Sequence, residues 1–409
     1  MNRMLRTNGE RLWNSLMAMA ELGATANGGS SRLALSAEDA AGRALFVDWC
    51  KAEGLTLSRD AIGNMFARRD GSQDIDPVVL GSHLDTQPKG GRFDGVYGVL
   101  AALEAVRSLN ENEIATRAPI VIANWTNEEG ARFTPAMLGS SVFTGVMTLE
   151  DGLAREDANG ERLADSLQTT GEAGDAPLGR AFDAYFEAHI EQGPVLEDND
   201  KTIGVVTGGQ AIRWLDIHLT GHSAHAGTTP MAARQDALFA AGELIQALEA
   251  RVAGTDGLMA TVGEFHIAHA SRNTIAGELR FTLDLRHPDD GVVDALIDEL
   301  HVLFTRLCDR RGVECRIDLH WRSPALPFDA DCVGHVRDAA QTLEVSWQEM
   351  ISGAGHDAFL LARHCPTAMI FIPCAGGLSH HEAESIEPDH ARQGADVLLH
   401  AALARAGRA

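Results

Sequence analysis

The sequence predicts an α/β architecture: a doubly wound domain carrying an inserted ferredoxin-like α+β unit of βαββαβ order. Three observations predict it. Short apolar runs alternate with helical periodicity up to residue 210 and again from 327 onward. Those runs end in clusters of His, Asp and Glu, and open α/β sheets bind ligands outside the carboxyl ends of their strands. Between 211 and 326 the pattern changes to strand, long helix, two strands, long helix, strand. The expected division is therefore 1–210 and 327–409 for one domain and 211–326 for the insertion. A chain of 409 residues accommodates both, since single cores stop growing at about 250–300 residues.

Taken in order, 10–22 and 36–53 show helical periodicity, the second opening on Ser36 as an N-cap with Asp39 three positions on. Residues 55–69 hold the turn formers Asp60, Gly63 and Asn64 at their centre and read as a hairpin. The run 77–80 is a buried strand; it leads into LGSHLDTQPKGGRFDG, whose loop carries His83, Asp85 and Asp94, and then a helix over 95–109. A second strand, 119–124, ends in WTNEEGARF and brings Glu128 and Glu129 to the edge that holds His83. Residues 150–180 are polar and read as a surface helix and loop, after which AYFEAHIEQGPVLE delivers His189 and Glu191 from another strand.

In the insertion, 214–220 alternates like a half-buried strand, 230–252 is a long Ala- and Leu-rich helix, and 258–268 and 275–285 are strands. A helix over 291–311 and a strand over 314–320 complete the set. Four strands under two helices leave one sheet face bare and the edge strands open, which suits dimerisation. Helix and strand alternate again over 331–343, 346–351, 356–363 and 367–373, and 390–405 is a closing helix.

Composition narrows the function classes. A formal net charge of −24 argues against nucleic acid as a partner, because phosphate binding draws on clustered Lys and Arg. The 45% hydrophobic and 22% charged fractions are those of an ordinary soluble protein. Six cysteines without metal-ligand spacing or disulfide density are expected to be reduced. The opening MNRMLRTNGERLW lacks the apolar core of a signal peptide, and no run reaches the roughly 18 apolar residues of a membrane span. The expectation is a cytoplasmic protein with neither nucleic-acid nor membrane partners.

The polar residues at predicted strand ends are His83, Asp94, Glu128, Glu129, His189 and His380, the last inside GGLSHHEAE. Two metal ions about 3.5–4 Å apart need a shared carboxylate and a few N or O ligands on each side, and three histidines with carboxylates meet that demand. No compact HExxH pattern is present, so spacing by itself also allows solvated polar loops.

In SHLDTQPKGGRFDG, WTNEEGARF, HIEQGPVLE, GHSAHAGTTPM, RNTIAGELRFTLDLRHPD, SGAGHDA and LSHHEAE, the chain resembles the metal-dependent amidohydrolases of the M20 peptidase group. These comprise N-carbamoyl-L-amino-acid hydrolases, β-ureidopropionases and allantoate amidohydrolases. The motifs run in order from 81 to 384. The resemblance implies a metallopeptidase-like catalytic domain (1–210 and 327–409), an inserted dimerisation or lid domain (211–326) and two divalent ions per subunit, zinc first, with manganese, cobalt or nickel as alternatives. It implies His83 and His189 on one ion, Glu129 and His380 on the other, and Asp94 bridging, with Asp85 behind His83 as the carboxylate that orients its imidazole. His381 stands where the family has a small polar residue, which leaves His380 and His381 as competing candidates, with His380 matching by its position after LS.

The resemblance further makes Glu128 the general base and His225 the donor that reaches the substrate carbonyl, often across a dimer interface. Asn273 and Arg286 would clamp a carboxylate, Gln192 would contact substrate, and His222, His356 and Asp357 would be structural. The implied reaction is hydrolysis of the ureido amide C–N bond of an N-carbamoyl amino acid, giving amino acid, ammonia and carbon dioxide, in a homodimer. Allantoate hydrolysis, dipeptide hydrolysis and a silent metal-binding scaffold are the alternatives.

Overall fold

The computed structural model describes residues 4–409 and divides into two compact units. One comprises the described residues up to Gly208 together with Pro327–Ala409; the other is the continuous stretch Gly209–Leu326. Strands β1 (Thr56–Arg59), β2 (Met65–Arg69), β3 (Val78–His83), β4 (Ile120–Trp125), β5 (Ala184–Ile190) and β6 (Ile203–Gly209) precede the second unit. That unit holds β7 (Ala211–Thr220), β8 (Met259–Thr261), β9 (Phe265–Ile267), β10 (Glu278–His287) and β11 (Glu314–Ser323), and β12 (Leu326–Pro327), β13 (Trp347–Ser352) and β14 (Thr367–Ile372) follow.

In the first unit the sheet runs β1-β2-β4-β3-β5-β14-β6-β12, with β13 also on β6. Its centre is parallel: β3 pairs β4 and β5, and β5 pairs β14, so all four end at one edge. The flanks are antiparallel, β2 on β4 and β6 on β14. The sheet is therefore mixed, not wholly parallel as doubly wound order implies. β3, β4, β5 and β14 are buried at every residue, which is why they read as largely apolar runs. The helix Val96–Glu111 is buried over nearly its whole length, and the helix Pro388–Ala406 packs against it.

Where sequence patterns and structure differ, the cause is local. β3 extends to His83, so that histidine closes a strand and does not ride on the following loop. Residues 150–180 are more than surface: the helix Leu163–Thr170 sends Leu163 and Leu167 into a small core with Ile62, Phe133, Leu138 and Val142. β6 has no counterpart in the sequence reading.

The second unit has a five-stranded sheet ordered β11-β7-β10-β8, with β9 also on β10. All pairings are antiparallel. The helices Ala237–Val252 and Asp290–Arg311 cover one face, and Leu215, Ile217, Leu219, Phe281, Leu283 and Leu285 form the core beneath them. The predicted helix over 230–252 starts only at Ala237, because Asp236 caps it by accepting from Leu238 N and Phe239 N. The predicted strand 258–268 breaks into β8 and β9 around Gly263. Among the described residues no helix is long and apolar enough to cross a membrane.

Candidate metal centre

The parallel centre of the first sheet delivers four segments to one edge. His83 ends β3, Glu128 and Glu129 follow β4 by three and four residues, His189 is the penultimate residue of β5, and His380 follows β14. Asp94 stands just before the helix Val96–Glu111. Gly95, between them, has φ +64°, and a Cβ there would meet the His83 imidazole at 2.2 Å. Only glycine lets the chain turn against that ring.

Asp94 faces both ways. Its Oδ1 lies 3.1 Å from His189 Nε2 and 3.8 Å from His83 Nε2, while its Oδ2 lies 3.3 Å from His380 Nε2. Glu129 Oε2 is 3.4 Å from His380 Nε2, and Glu128 Oε2 is 3.4 Å from His83 Nε2. Two groups that could hold a metal result, His83–Asp94–His189 and Asp94–Glu129–His380, and they share Asp94. Of the neighbouring histidines, His380 reaches this cluster with φ +54°, whereas His381 Nδ1 accepts from Ala383 N. Asn127 and Gln192 also adopt positive φ, 56° and 59°. Such backbone strain gathers at functional sites.

The donor chemistry fits divalent cations. His83 Nδ1 and His189 Nδ1 each meet a main-chain carbonyl at 2.9 Å, of Asp85 and Ile190. Donating there turns both Nε2 atoms toward the cluster, where the neutral rings would offer their lone pairs to a metal. Buried carboxylates packed around imidazoles strain the usual ionisation. Burial, followed by the charges of Asp357, Glu129, Asp94 and Asp85, pushes Glu128 well above the ordinary carboxylate range. Burial with Asp94 and Asp85 does the same to Glu129. Burial pushes His83 down to about 4. Burial also works against His189, yet the hydrogen bond and charge of Asp94 outweigh it and hold that ring at about 9. A positive ion between these groups would favour the ionised carboxylates and the neutral imidazoles.

One expected contact differs. Asp85 was assigned to the His83 imidazole through its carboxylate, but the carboxylate is 3.9 Å from Nδ1 and the main-chain oxygen takes the hydrogen bond. The carboxylate instead accepts from Glu128 N and Glu129 N, both at 3.3 Å. It fixes the backbone of the adjacent acids. Gln192 spends its amide on Asp94 Oδ2 at 2.8 Å, and its Oε1 is buried without a hydrogen-bond partner.

Several residues at this edge were not singled out by their chemistry. Gln87 donates from its main chain to Glu129 Oε1 at 3.1 Å and from its side chain to Oε2 at 2.8 Å. Glu187 and His356 form a further metal-capable group with His189, and the His356 ring packs edge-on to His189 at 4.4 Å. His356 and Asp357, read as structural, are buried at the site's rear, where Asp357 Oδ1 bonds Ser140. Glu187 sits two residues from His189 in a strand buried at every residue, an acid inside a largely apolar run, and that was the available signal.

His225, Asn273 and Arg286 lie in the second unit. The segments of His225 and Asn273 pair, with Ala226 N donating to Asn273 O at 2.9 Å. His225 is exposed, its Nδ1 accepting from Gly227 N, and Arg286 on β10 forms a two-pronged ion pair with Asp284.

Fold and centre together describe a hydrolase, and comparison with known proteins gives it a family. Residues 79–404 match the model of peptidase family M20/M25/M40, and the chain belongs to that family. It is 47% identical to an N-carbamoyl-L-amino-acid amidohydrolase of Rhizobium meliloti, over 97% of this chain and 96% of that one. An allantoate amidohydrolase of Bacillus subtilis (strain 168) is 34% identical over 90% of each chain. A crystal structure of a hydantoinase/carbamoylase family amidase from Burkholderia ambifaria superposes with a TM-score of 0.96, at 56% identity and 99% coverage of both chains.

Proposed function

We propose that this chain hydrolyses the ureido amide C–N bond of N-carbamoyl-L-amino acids at a centre of two divalent metal ions. The observation that carries the reading is Asp94, whose two oxygens face two separate sets of donors. It stands in a chain 47% identical, nearly end to end, to an N-carbamoyl-L-amino-acid amidohydrolase. His83 and His189 would hold one ion, Glu129 and His380 the other, with Asp94 between them. Zinc suits this mixture of imidazole and carboxylate, as do manganese, cobalt and nickel.

The chemistry that divalent ions supply here when bound is Lewis-acid polarisation of a carbonyl and acidification of water. Glu128 takes a proton from the attacking water on its carboxylate and returns it to the departing amino nitrogen. The products are the amino acid and a carbamate, which falls apart to ammonia and carbon dioxide. Gln192 Oε1, buried and without a partner, accepts from the terminal ureido N–H, because a buried acceptor is satisfied only when a donor arrives. Asp85 keeps Glu128 and Glu129 in register through their main-chain N–H groups.

In the inserted unit, His225 is assigned to the oxyanion and Asn273 with Arg286 to the substrate carboxylate, since a guanidinium meets a carboxylate with two parallel hydrogen bonds. The unit is also assigned to homodimerisation, and the protein to the cytoplasm. Ammonia release from N-carbamoyl-L-amino acids, N-carbamoyl-β-alanine, allantoate and a dipeptide panel tests the substrate. Turnover of the N-carbamoyl-L-amino acids is expected; turnover of allantoate alone, or of dipeptides without ureido substrates, overturns it.

A further inference from the structure

Glu384 is buried, 1% exposed, and four residues beyond His380. It makes no contact that the proposed reaction uses. Its Oε1 accepts from Phe93 N at 3.0 Å and from Asp94 N at 3.1 Å. Its Oε2 faces Ser379 Oγ at 3.0 Å, and that same hydroxyl lies 3.1 Å from Asp94 Oδ2. A hydroxyl has one hydrogen, so Ser379 shares it between the two carboxylates. Gly91 supplies an independent sign that the arrangement is built: a Cβ at that position would sit 1.9–2.2 Å from the three atoms of the Glu384 carboxyl group. No residue but glycine admits the side chain there.

Resting on the two-ion reading, we propose that Glu384 is a positioning residue that locks the bridging Asp94 to the His380 segment, and so sets the affinity of the ion held by Asp94, Glu129 and His380. Asp94 and His380 come from segments 286 positions apart in the chain, and Glu384 with Ser379 ties them together, beside Gln192, whose Nε2 donates to Asp94 Oδ2 at 2.8 Å and to Ser379 Oγ at 3.2 Å. The main chain at 93 and 94 hangs from one carboxylate oxygen, and the hydroxyl that steadies Asp94 Oδ2 hangs from the other. Asp94 Oδ2 is the oxygen on the His380 side. Losing the tie therefore loosens that side of the bridge, leaving Asp94 Oδ2 the hydrogen bond from Gln192, while His83 and His189 keep their own main-chain hydrogen bonds.

The test is titration of cobalt(II) into metal-free protein, read by visible absorption, for the native sequence, Glu384→Ala, Glu384→Gln and Ser379→Ala. The native protein is expected to take two equivalents. Glu384→Ala is expected to weaken one equivalent by about 10–100-fold, the usual cost of removing a group that orients a ligand. Glu384→Gln is expected to stay within about threefold of the native value, because an amide oxygen still accepts from both N–H groups and its NH₂ can donate to Ser379. Native-like titrations for Glu384→Ala, or equal damage from Ala and Gln, would overturn the inference. Should Glu384→Ala fail to fold, Ser379→Ala decides: one equivalent weakened supports the tie, both unchanged refutes it. Fewer than two equivalents in the native protein would instead refute the two-ion reading on which the inference rests.

Discussion

Glu128 illustrates how one carboxylate is kept available for proton transfer while its neighbour is not. Glu129 is held at both oxygens by Gln87, whereas Glu128 Oε2 faces His83 Nε2 at 3.4 Å. Glu128→Gln is expected to retain metal and to lose activity by about 10²–10⁴-fold, the range general-base catalysis contributes; kcat with metal content measured on the same sample checks this. Gln87→Ala, which frees the Glu129 carboxylate, is expected to weaken metal retention against a chelator by about tenfold or more, with Glu128 left in place. A chelation half-time equal to the native one would remove Gln87 from the account. At this scale the chain was legible wherever an acid or histidine follows an apolar run, as His83, Glu128, Glu129 and His189 do. It was not legible for Gln87 and Glu384, nor for the partners of Asp85, because which main-chain N–H or carboxylate each reaches is fixed only when distant segments meet.

At the scale of elements, the parallel strands place the site and buried charges anchor their surroundings. In the helix Ala37–Ala52, Asp39 and Arg43 are both fully buried and 2.8 Å apart. Asp39 also accepts from Leu35 N, and Arg43 donates to Gly63 O and Thr126 Oγ1, joining this helix to the segments leading into and out of β2 and β4. Asp39→Ala removes the nearer of two carboxylates on this buried guanidinium, leaving Glu172 Oε2 at 3.6 Å, and is expected to cost about 3 kcal/mol in thermal or denaturant unfolding; a loss under about 1 kcal/mol would contradict it. The sequence pattern announced this helix through its Ser36 cap, and Ser36 Oγ does accept from Asp39 N at 3.2 Å. It gave no sign of β6, since IGVVTGG is a short run with three glycines that becomes a strand by pairing with β14, β12 and β13. Local propensity is weak there and the sheet supplies the order. The misplaced start of the helix Ala237–Val252 has the opposite origin: composition alone ran the helix back to Pro230, and a single capping side chain, Asp236, sets where it begins.

For the whole molecule, two compact units follow from two separate hydrophobic clusters, one around β3, β4, β5 and β14 and one beneath β7 and β10. The change in pattern near 211 and 326 was legible because each cluster imposes its own rhythm of burial. The cysteines carry a prediction at this scale. All six are free, and burial pushes the thiols of Cys50, Cys332 and Cys365 up to about 12 and that of Cys374 to about 11. At pH 8 these four are protonated and unreactive in the native state, so a thiol reagent is expected to label no more than Cys308 and Cys315, and all six after unfolding; labelling of Cys50 in the folded protein would contradict the packing described. Dimerisation through the inserted unit is checked by sedimentation velocity, where a monomer at assay concentration would undercut the role given to His225 across a subunit interface. The claim on which the rest depends is the pair of ions divided by Asp94. Anomalous diffraction from metal-loaded crystals tests it most directly: the account predicts two peaks about 3.5–4 Å apart, one against His83 and His189 and the other against Glu129 and His380, and a single peak, or one seated among Glu187, His189 and His356, would contradict it.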